Sequence, residues 1–357
     1  PTCATASAAS LGGERGFATL VELLAPFVTA NYRVARALLT AERFDAVLGS
    51  NLAFGLFWAS MERRLPGVMV SATPLFWASA RAPAQMLDLE LPSWLLGPVA
   101  GALRASLMAF ADHALCSLAR EIGPLAIDPS ATAIEEGLAL HLGTWSEILR
   151  SGHPGVPSAW RARGFASAGR LGAPSAVLSR DCEAFLERGS APVVVALGSI
   201  YSLGSDDVVR GVVEACRELG ERCLVVGPGP RGAPLGDDVA ATPYAAYDAL
   251  FPRARGVVIH GGAGTTGEAL RAGVPSVVVP FAFDQFGLSW HVERLGTGVR
   301  VAKMRRTQTR LRDAIARACE DESLRERAAD VRGQLAGAAD GGPIGGRLVE
   351  QALGVAR

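Results

Sequence analysis

The chain has 357 residues, of which 49% are hydrophobic and 20% charged, with 35 Lys and Arg balancing 35 Asp and Glu. That length exceeds the usual single domain and the composition is globular, so two domains are expected and disorder is excluded. Zero formal net charge removes the basic excess that a nucleic-acid binder normally carries.

Lys303 is the only lysine. No Gly-Lys-Ser/Thr phosphate loop therefore exists, and a Schiff base could form only within Lys303-Met304-Arg305-Arg306. The six cysteines, Cys3, Cys116, Cys182, Cys216, Cys223 and Cys319, contain no Cys-x-x-Cys pair. They read as reduced, mostly buried thiols of a cytoplasmic protein. The five histidines form no ligand-spaced pair, so no metal site is expected.

The Ala/Ser/Thr-rich opening from Pro1 does not read as a signal peptide. Apolar positions from Phe17 to about Ala41 follow helical spacing. Phe44–Ser50 then reads as a strand, a helix follows to Arg64, and Gly67–Ser71 is the next strand. Strand, helix and strand at this spacing predict a parallel sheet with crossover helices. Ala80 to Leu140 reads as helical and apolar, broken by Pro and Gly; its window Leu91–Phe110 holds Arg104, Pro92 and Pro98 and so is not a membrane span. Gly152–Pro174 is the expected linker. Beyond it, Val193–Ser199 reads as a buried strand, and Asp206–Leu219 as a helix with Ser205 at its N-cap and Gly220 at its end. Further strands are expected at Arg222–Val226, Gly256–His260 and Val274–Pro280.

The chemistry concentrates in Val257-Val258-Ile259-His260-Gly261-Gly262-Ala263-Gly264-Thr265-Thr266-Gly267-Glu268. A buried strand runs into a glycine-rich turn that opens a helix. Such a turn aims free N–H groups and the positive helix end at an anion, and glycine lets a phosphate approach without a Cβ in the way. The plainer alternative is a tight strand-to-helix turn with His260 capping a backbone group. Glu268 lies one turn into the helix, within reach of ribose hydroxyls, or is simply a solvated carboxylate. Asp284 and Gln285 follow the next strand, at the edge where open α/β sheets bind ligands. Together they can accept from and donate to adjacent hydroxyls, although Asp284 could equally be a helix N-cap.

Read together, His260-Gly-Gly-x-Gly264-Thr265-x-x-Glu268-Ala-Leu-x-x-Gly273-Val274-Pro275, followed by Pro280-x-x-x-Asp284-Gln285, resembles the donor motif of the family 1 glycosyltransferases. These are GT-B enzymes that use UDP- or dTDP-sugars. Tyr244–Arg253 is similar to the family's base-binding loop and Leu197-Gly198-Ser199 to the loop after the domain's first strand. The likeness covers Ala191 to Gly298 and is nearest to bacterial enzymes that glycosylate lipids, sterols or macrolide-like natural products. The chain departs from the pattern at Ala246 and Tyr247, where the family has Pro followed by His or Gln. It departs again at Gly287, Leu288 and Ser289, which follow the Asp-Gln pair.

The resemblance implies two doubly wound Rossmann-like domains facing a cleft, the first incomplete at its N-terminus. The expected divisions are 1–174 for the acceptor domain, with the linker at 152–174, then 175–340 for the nucleotide-sugar domain. Residues 341–357 would form a helix packing back on the first. His260 with Gly262, Gly264 and Thr265 would hold the diphosphate, Glu268 the ribose, and Asp284 and Gln285 the sugar. Ser199 would close over the phosphates and the backbone at Ala245 would edge the base. The general base of the inverting reaction is expected in an N-terminal opening that this sequence lacks; His113, His141 and His153 read as surface or packing residues. No resident cofactor or metal is implied. The implied partners are the donor and a small apolar acceptor, set against segments such as Phe76, Trp77 and Leu91–Phe110. The chain would be cytoplasmic, with peripheral contact to the inner membrane face left open, and a monomer or weak dimer. Two alternatives remain: a non-catalytic nucleotide-sugar-binding homologue, and a nicotinamide-dependent oxidoreductase using Gly262-x-Gly264-x-x-Gly267 with Asp284, 22 residues after Gly262.

Overall fold

The computed structural model describes residues 14–72, 93–149, 160–162, 178–198, 205–227, 229, 236–282, 284–303, 306–336 and 341–354. The chain divides into two compact units. One is formed mainly by Phe165–Ala339; the other by Ala9–Ala84, Leu91–Gly164 and Asp340–Arg357. Phe76, Trp77, Cys3, His153 and Ser199 lie outside the described residues, as does most of the 152–174 segment.

The Phe165–Ala339 unit holds a six-stranded parallel sheet. In chain order its elements are α5 (Arg180–Glu187), β5 (Val193–Ala196), α6 (Asp206–Glu218), β6 (Cys223–Val226), β7 (Val239–Thr242), α7 (Tyr247–Leu250), β8 (Gly256–Ile259), α8 (Ala263–Ala272), β9 (Ser276–Val278), α9 (Gln285–Leu295), β10 (Gly298–Arg300), α10 (Gln308–Glu320) and α11 (Glu322–Ala336). The spatial order is β10-β9-β8-β5-β6-β7. The chain thus builds outward from β5 in one direction, then returns to lay β8 on the other side of β5.

The strands are nearly continuous runs of branched aliphatics because both sheet faces are covered. Val193 and Val195 enter one core layer with Val209, Val212 and Ile315, while Val194 and Ala196 enter the opposite layer with Leu250, Phe251 and Ile259. Burying each such side chain contributes about 1.5–3 kcal/mol. Ser205, expected to cap α6, occupies the N-cap position but makes no side-chain cap bond. Its backbone sits at φ −86°, ψ 2° rather than in the extended conformation that aims a hydroxyl back at the helix. Ser179, extended at φ −62°, ψ 152°, does cap α5 through the N–H of Cys182.

The second unit comprises α1 (Glu14–Ala41), β1 (Val47–Ser50), α2 (Phe54–Glu62), β2 (Gly67–Ser71), α3 (Ser93–Ile122), α4 (Ala131–Gly137), β3 (Leu138–Gly143), β4 (Trp160–Ala162) and α12 (Gly341–Ala352). Its strands run parallel in the order β1-β2-β3-β4. Leu138–Leu140, expected to be helical, opens β3. The chain leaves α4 at Gly137 straight into extended backbone at Leu138 (φ −71°, ψ 132°). Strand β4 falls inside the expected linker segment and pairs with His141–Gly143. Leu348 and Val349 of α12 pack on Val68, Leu140 and Leu142 of the sheet. His141, expected to be a surface or packing histidine, is buried with its Nε2 2.6 Å from Ser71 Oγ. Burial pushes its pKa down to about 4. Among the described residues no helix is long and apolar enough to cross a membrane.

Candidate nucleotide-sugar site

The reversal of strand order falls between β5 and β8. In open parallel sheets the crevice for a ligand opens there, at the carboxyl ends of the two diverging strands. Beyond β5 the chain runs Leu197-Gly198, and beyond β8 it runs His260-Gly261-Gly262. The two loops meet: a Cβ on Gly198, whose φ is +60°, would lie 2.9 Å from His260 Cε1. The glycine-rich turn follows the fourth strand of its sheet, not the first βα turn that a dinucleotide fingerprint occupies.

Gly261, at φ +85°, turns the chain out of the strand, and a Cβ there would come 3.0 Å from Val278 Cγ1 and 3.1 Å from the Gln285 carbonyl oxygen. Gly262 is the N-cap of α8 and supplies no side chain to cap it. The first intrahelical bond runs from Thr266 N to Gly262 O, so the N–H groups of Ala263, Gly264 and Thr265 carry the unsatisfied positive end of the helix. Nothing lies within 4 Å of the position a Cβ on Gly264 would take. The first turn is therefore open where a phosphate would approach.

His260 is 9% exposed and its Nδ1 has no hydrogen-bond partner. The ring also meets the backbone of Ala196 through a hydrogen bond. Burial pushes its pKa below the ordinary 6.5, with the backbone of Ala196 working against that shift. Thr265 is buried on the same turn, and Thr266 is fully buried with its hydroxyl unpartnered. A buried imidazole nitrogen and a buried hydroxyl left unsatisfied are costly and uncommon outside functional sites.

Glu268 is not a freely solvated carboxylate. Its Oε1 accepts a hydrogen bond from Arg271 Nη1 at 2.9 Å, and both side chains are 16% exposed. The pairing holds the carboxylate in place. Ala245 is buried while Tyr244 beside it is 76% exposed, its carbonyl held by Thr242 Oγ1 at 3.0 Å. Tyr247, at one of the departures from the family pattern, stacks on Phe251 with ring centres 4.6 Å apart. It packs inward as part of α7.

Asp284 is the N-cap residue of α9 but makes no side-chain cap bond, so the capping alternative fails. Burial raises its pKa to about 6, with its own backbone pulling the other way. Gln285 is 6% exposed, and its Oε1 accepts from Phe281 N at 2.8 Å and Ala282 N at 3.2 Å. Two backbone donors fix the amide's orientation: the oxygen faces the loop and only the NH2 group remains for other partners. Of the pair, only Asp284 can accept from a hydroxyl; Gln285 donates.

The reading from sequence missed Lys303 and Arg306. Lys303 Nζ donates to the Phe281 carbonyl at 3.4 Å and Arg306 Nη2 to the Pro280 carbonyl at 2.7 Å, with the guanidinium 4.7 Å over the Phe281 ring. A lone lysine in an arginine-rich turn was the available signal, but nothing local tied it to residues some twenty positions upstream.

The fold is that of the GT-B class. Residues 227–350 match the family described as erythromycin biosynthesis protein CIII-like, C-terminal domain. The chain is 40% identical over 139 residues to O-mycaminosyltylonolide 6-deoxyallosyltransferase of Streptomyces fradiae, which covers 39% of this chain and 32% of that protein. To a sterol 3-beta-glucosyltransferase of Candida albicans it is 32% identical over 153 residues, 40% of this chain and 10% of the relative. The matched stretches thus span a third or less of those relatives. The solved glycotransferase of kitacinnamycin superposes with a TM-score of 0.70 over 96% of this chain and 84% of its own, at 22% identity, which shows the fold.

Proposed function

We propose that this chain transfers a sugar from a UDP- or dTDP-sugar to a hydroxyl of an apolar acceptor, inverting the anomeric centre. The observation that carries the proposal is the uncapped α8 N-terminus with buried, unpartnered His260 Nδ1 at the β5/β8 switch point, with Asp284 and Gln285 following the adjacent strand β9. The names of the relatives, a macrolide sugar transferase and a sterol glucosyltransferase, support the acceptor class.

The acceptor hydroxyl attacks the anomeric carbon while a general base takes its proton. The bond from that carbon to the β-phosphate oxygen breaks, and the nucleoside diphosphate leaves with the bonding pair. Negative charge grows on that oxygen, where preorganised N–H donors of α8 and the His260 imidazole stabilise it most. In this reading the diphosphate's charge is met by the protein, and the reaction needs no metal or resident cofactor. Ser199 would close over the phosphates, Glu268 Oε2 would hold the ribose, and the Ala245 backbone would edge the base. We place the chain in the cytoplasm, as a monomer or weak dimer, with at most a peripheral contact to the inner membrane face.

Calorimetric titration with UDP, dTDP and NADH tests the proposal. Saturable binding of UDP or dTDP, weakened at least about tenfold in His260→Ala by loss of a charge-assisted hydrogen bond, is the expected result. Binding of NADH alone, or nucleotide affinity unchanged in His260→Ala, would overturn it.

A further inference from the structure

Between β9 and the Asp284–Gln285 pair, Pro280, Phe281 and Ala282 present five backbone polar groups: their three carbonyls and the N–H groups of Phe281 and Ala282. A connecting loop normally leaves such groups to water. Here every one is taken by protein. Arg306 Nη2 donates to the Pro280 carbonyl at 2.7 Å and Lys303 Nζ to the Phe281 carbonyl at 3.4 Å. Both N–H groups donate to Gln285 Oε1, and the Ala282 carbonyl accepts from the Gln285 N–H at 3.3 Å. The Arg306 guanidinium also covers the Phe281 ring.

The two cationic residues come from the segment after β10. That segment is locked to β9 by the ladder bond from Val301 N to the Val278 carbonyl at 2.9 Å. The clamp is thus anchored on the neighbouring strand, and a carbonyl bound by a charged donor is held more strongly than one bound by a neutral donor. Gln285 closes the other side of the same loop, so the orientation of its NH2 group depends on where Phe281 and Ala282 are held.

We propose that Lys303 and Arg306 are positioning residues for recognition of the transferred sugar. They fix the 280–282 backbone so that Gln285 presents only its amide donors, and Asp284 the sole acceptor of the pair, to the sugar ring. This rests on the donor-binding reading above and deepens it. The clamp sets the sugar increment of binding, while the nucleoside diphosphate is held separately by α8 and His260.

The test compares calorimetric affinities of UDP, dTDP and their glucose conjugates for the full chain, for Lys303→Met, Lys303→Arg and Arg306→Gln, alongside thermal midpoints and hydrogen exchange at Phe281 and Ala282. Lys303→Met and Arg306→Gln should keep the nucleotide affinity of the unmodified chain and lose the extra affinity of the sugar conjugate, roughly three- to tenfold for one neutral hydrogen bond from the Gln285 amide. Exchange at the two amides should quicken, and Lys303→Arg should restore both readouts. Equal loss of nucleotide and conjugate affinity, or an unchanged sugar increment with faster exchange, would overturn the clamp while leaving the donor site standing. Failure of the unmodified chain to bind any of the four ligands would remove the donor reading, and the clamp with it.

Discussion

Two buried ionisable groups at the site have pKa values displaced in opposite senses, and each displacement carries a pH dependence of its own. His260 lies below 6.5 through burial, so the free protein holds a neutral imidazole at pH 7. A diphosphate beside it favours the protonated form, raising its value in the complex. Affinity for the bare nucleotide should therefore rise as the pH falls from 8 toward 6. Asp284 titrates near 6, and burial is the main cause. Only its ionised form can accept from sugar hydroxyls without itself donating, so the sugar increment should be full above that value and fade as the pH drops through it. Titrating UDP and a UDP-sugar in parallel between pH 5 and 8 separates the two trends. Parallel curves would show that Asp284 does not read the sugar. Ionising Asp284 also costs folding stability: a carboxyl whose folded value exceeds its ordinary 3.8 stabilises below pH 4, and that contribution is lost as the pH rises to about 6.

At the scale of elements, helices are joined by close backbone approaches that single residues permit. Gly55 of α2 faces α1 so closely that a Cβ would press into the Val28 carbonyl, 2.6 Å from Tyr32 N and 3.0 Å from Tyr32 Cβ. Two of these three neighbours are backbone, so no rotamer change relieves the clash. Gly55→Ala should destabilise by roughly 1–3 kcal/mol through overpacking, read as a lower urea midpoint; an unchanged midpoint would show that α1 and α2 separate without cost.

The α8 turn was legible in the sequence because strand, glycines and helix are contiguous, and β5, β6, β8 and β9 because both-face burial writes an unbroken aliphatic run. Short strands were not. Val239–Thr242 carries two alanines, Gly298–Arg300 ends on a charge, and Trp160–Ala162 sits among loop-forming residues. Their pairing depends on neighbours already in place. The same dependence hid the inward-facing carbonyl of Gln285, which is set by two N–H groups on a loop whose own position is fixed from β10.

For the whole molecule, balanced charge is the controlling feature. Formal net charge is zero at pH 7 and the pI is about 7.4, so neutral solutions give no long-range repulsion between copies. The surface also shows sizeable apolar side chains, including Phe27, Val34 and Leu38 at 61, 59 and 48% exposure. Their spacing of seven and four places them along one stripe of α1. Attraction between such patches is short-ranged and little affected by salt, whereas any repulsion opposing it must come from net charge. Static light scattering should therefore find the most negative second virial coefficient near pH 7.4. It should become less negative toward pH 5.5, where the net charge turns positive, and toward pH 9, where it turns negative. Val34→Lys with Leu38→Lys should weaken the attraction at its minimum and move the minimum to higher pH, because both substitutions remove apolar surface and add positive charge. A virial coefficient indifferent to pH would show that net charge does not govern self-association. A minimum that stayed in place in the double variant would show that α1 is not where copies meet.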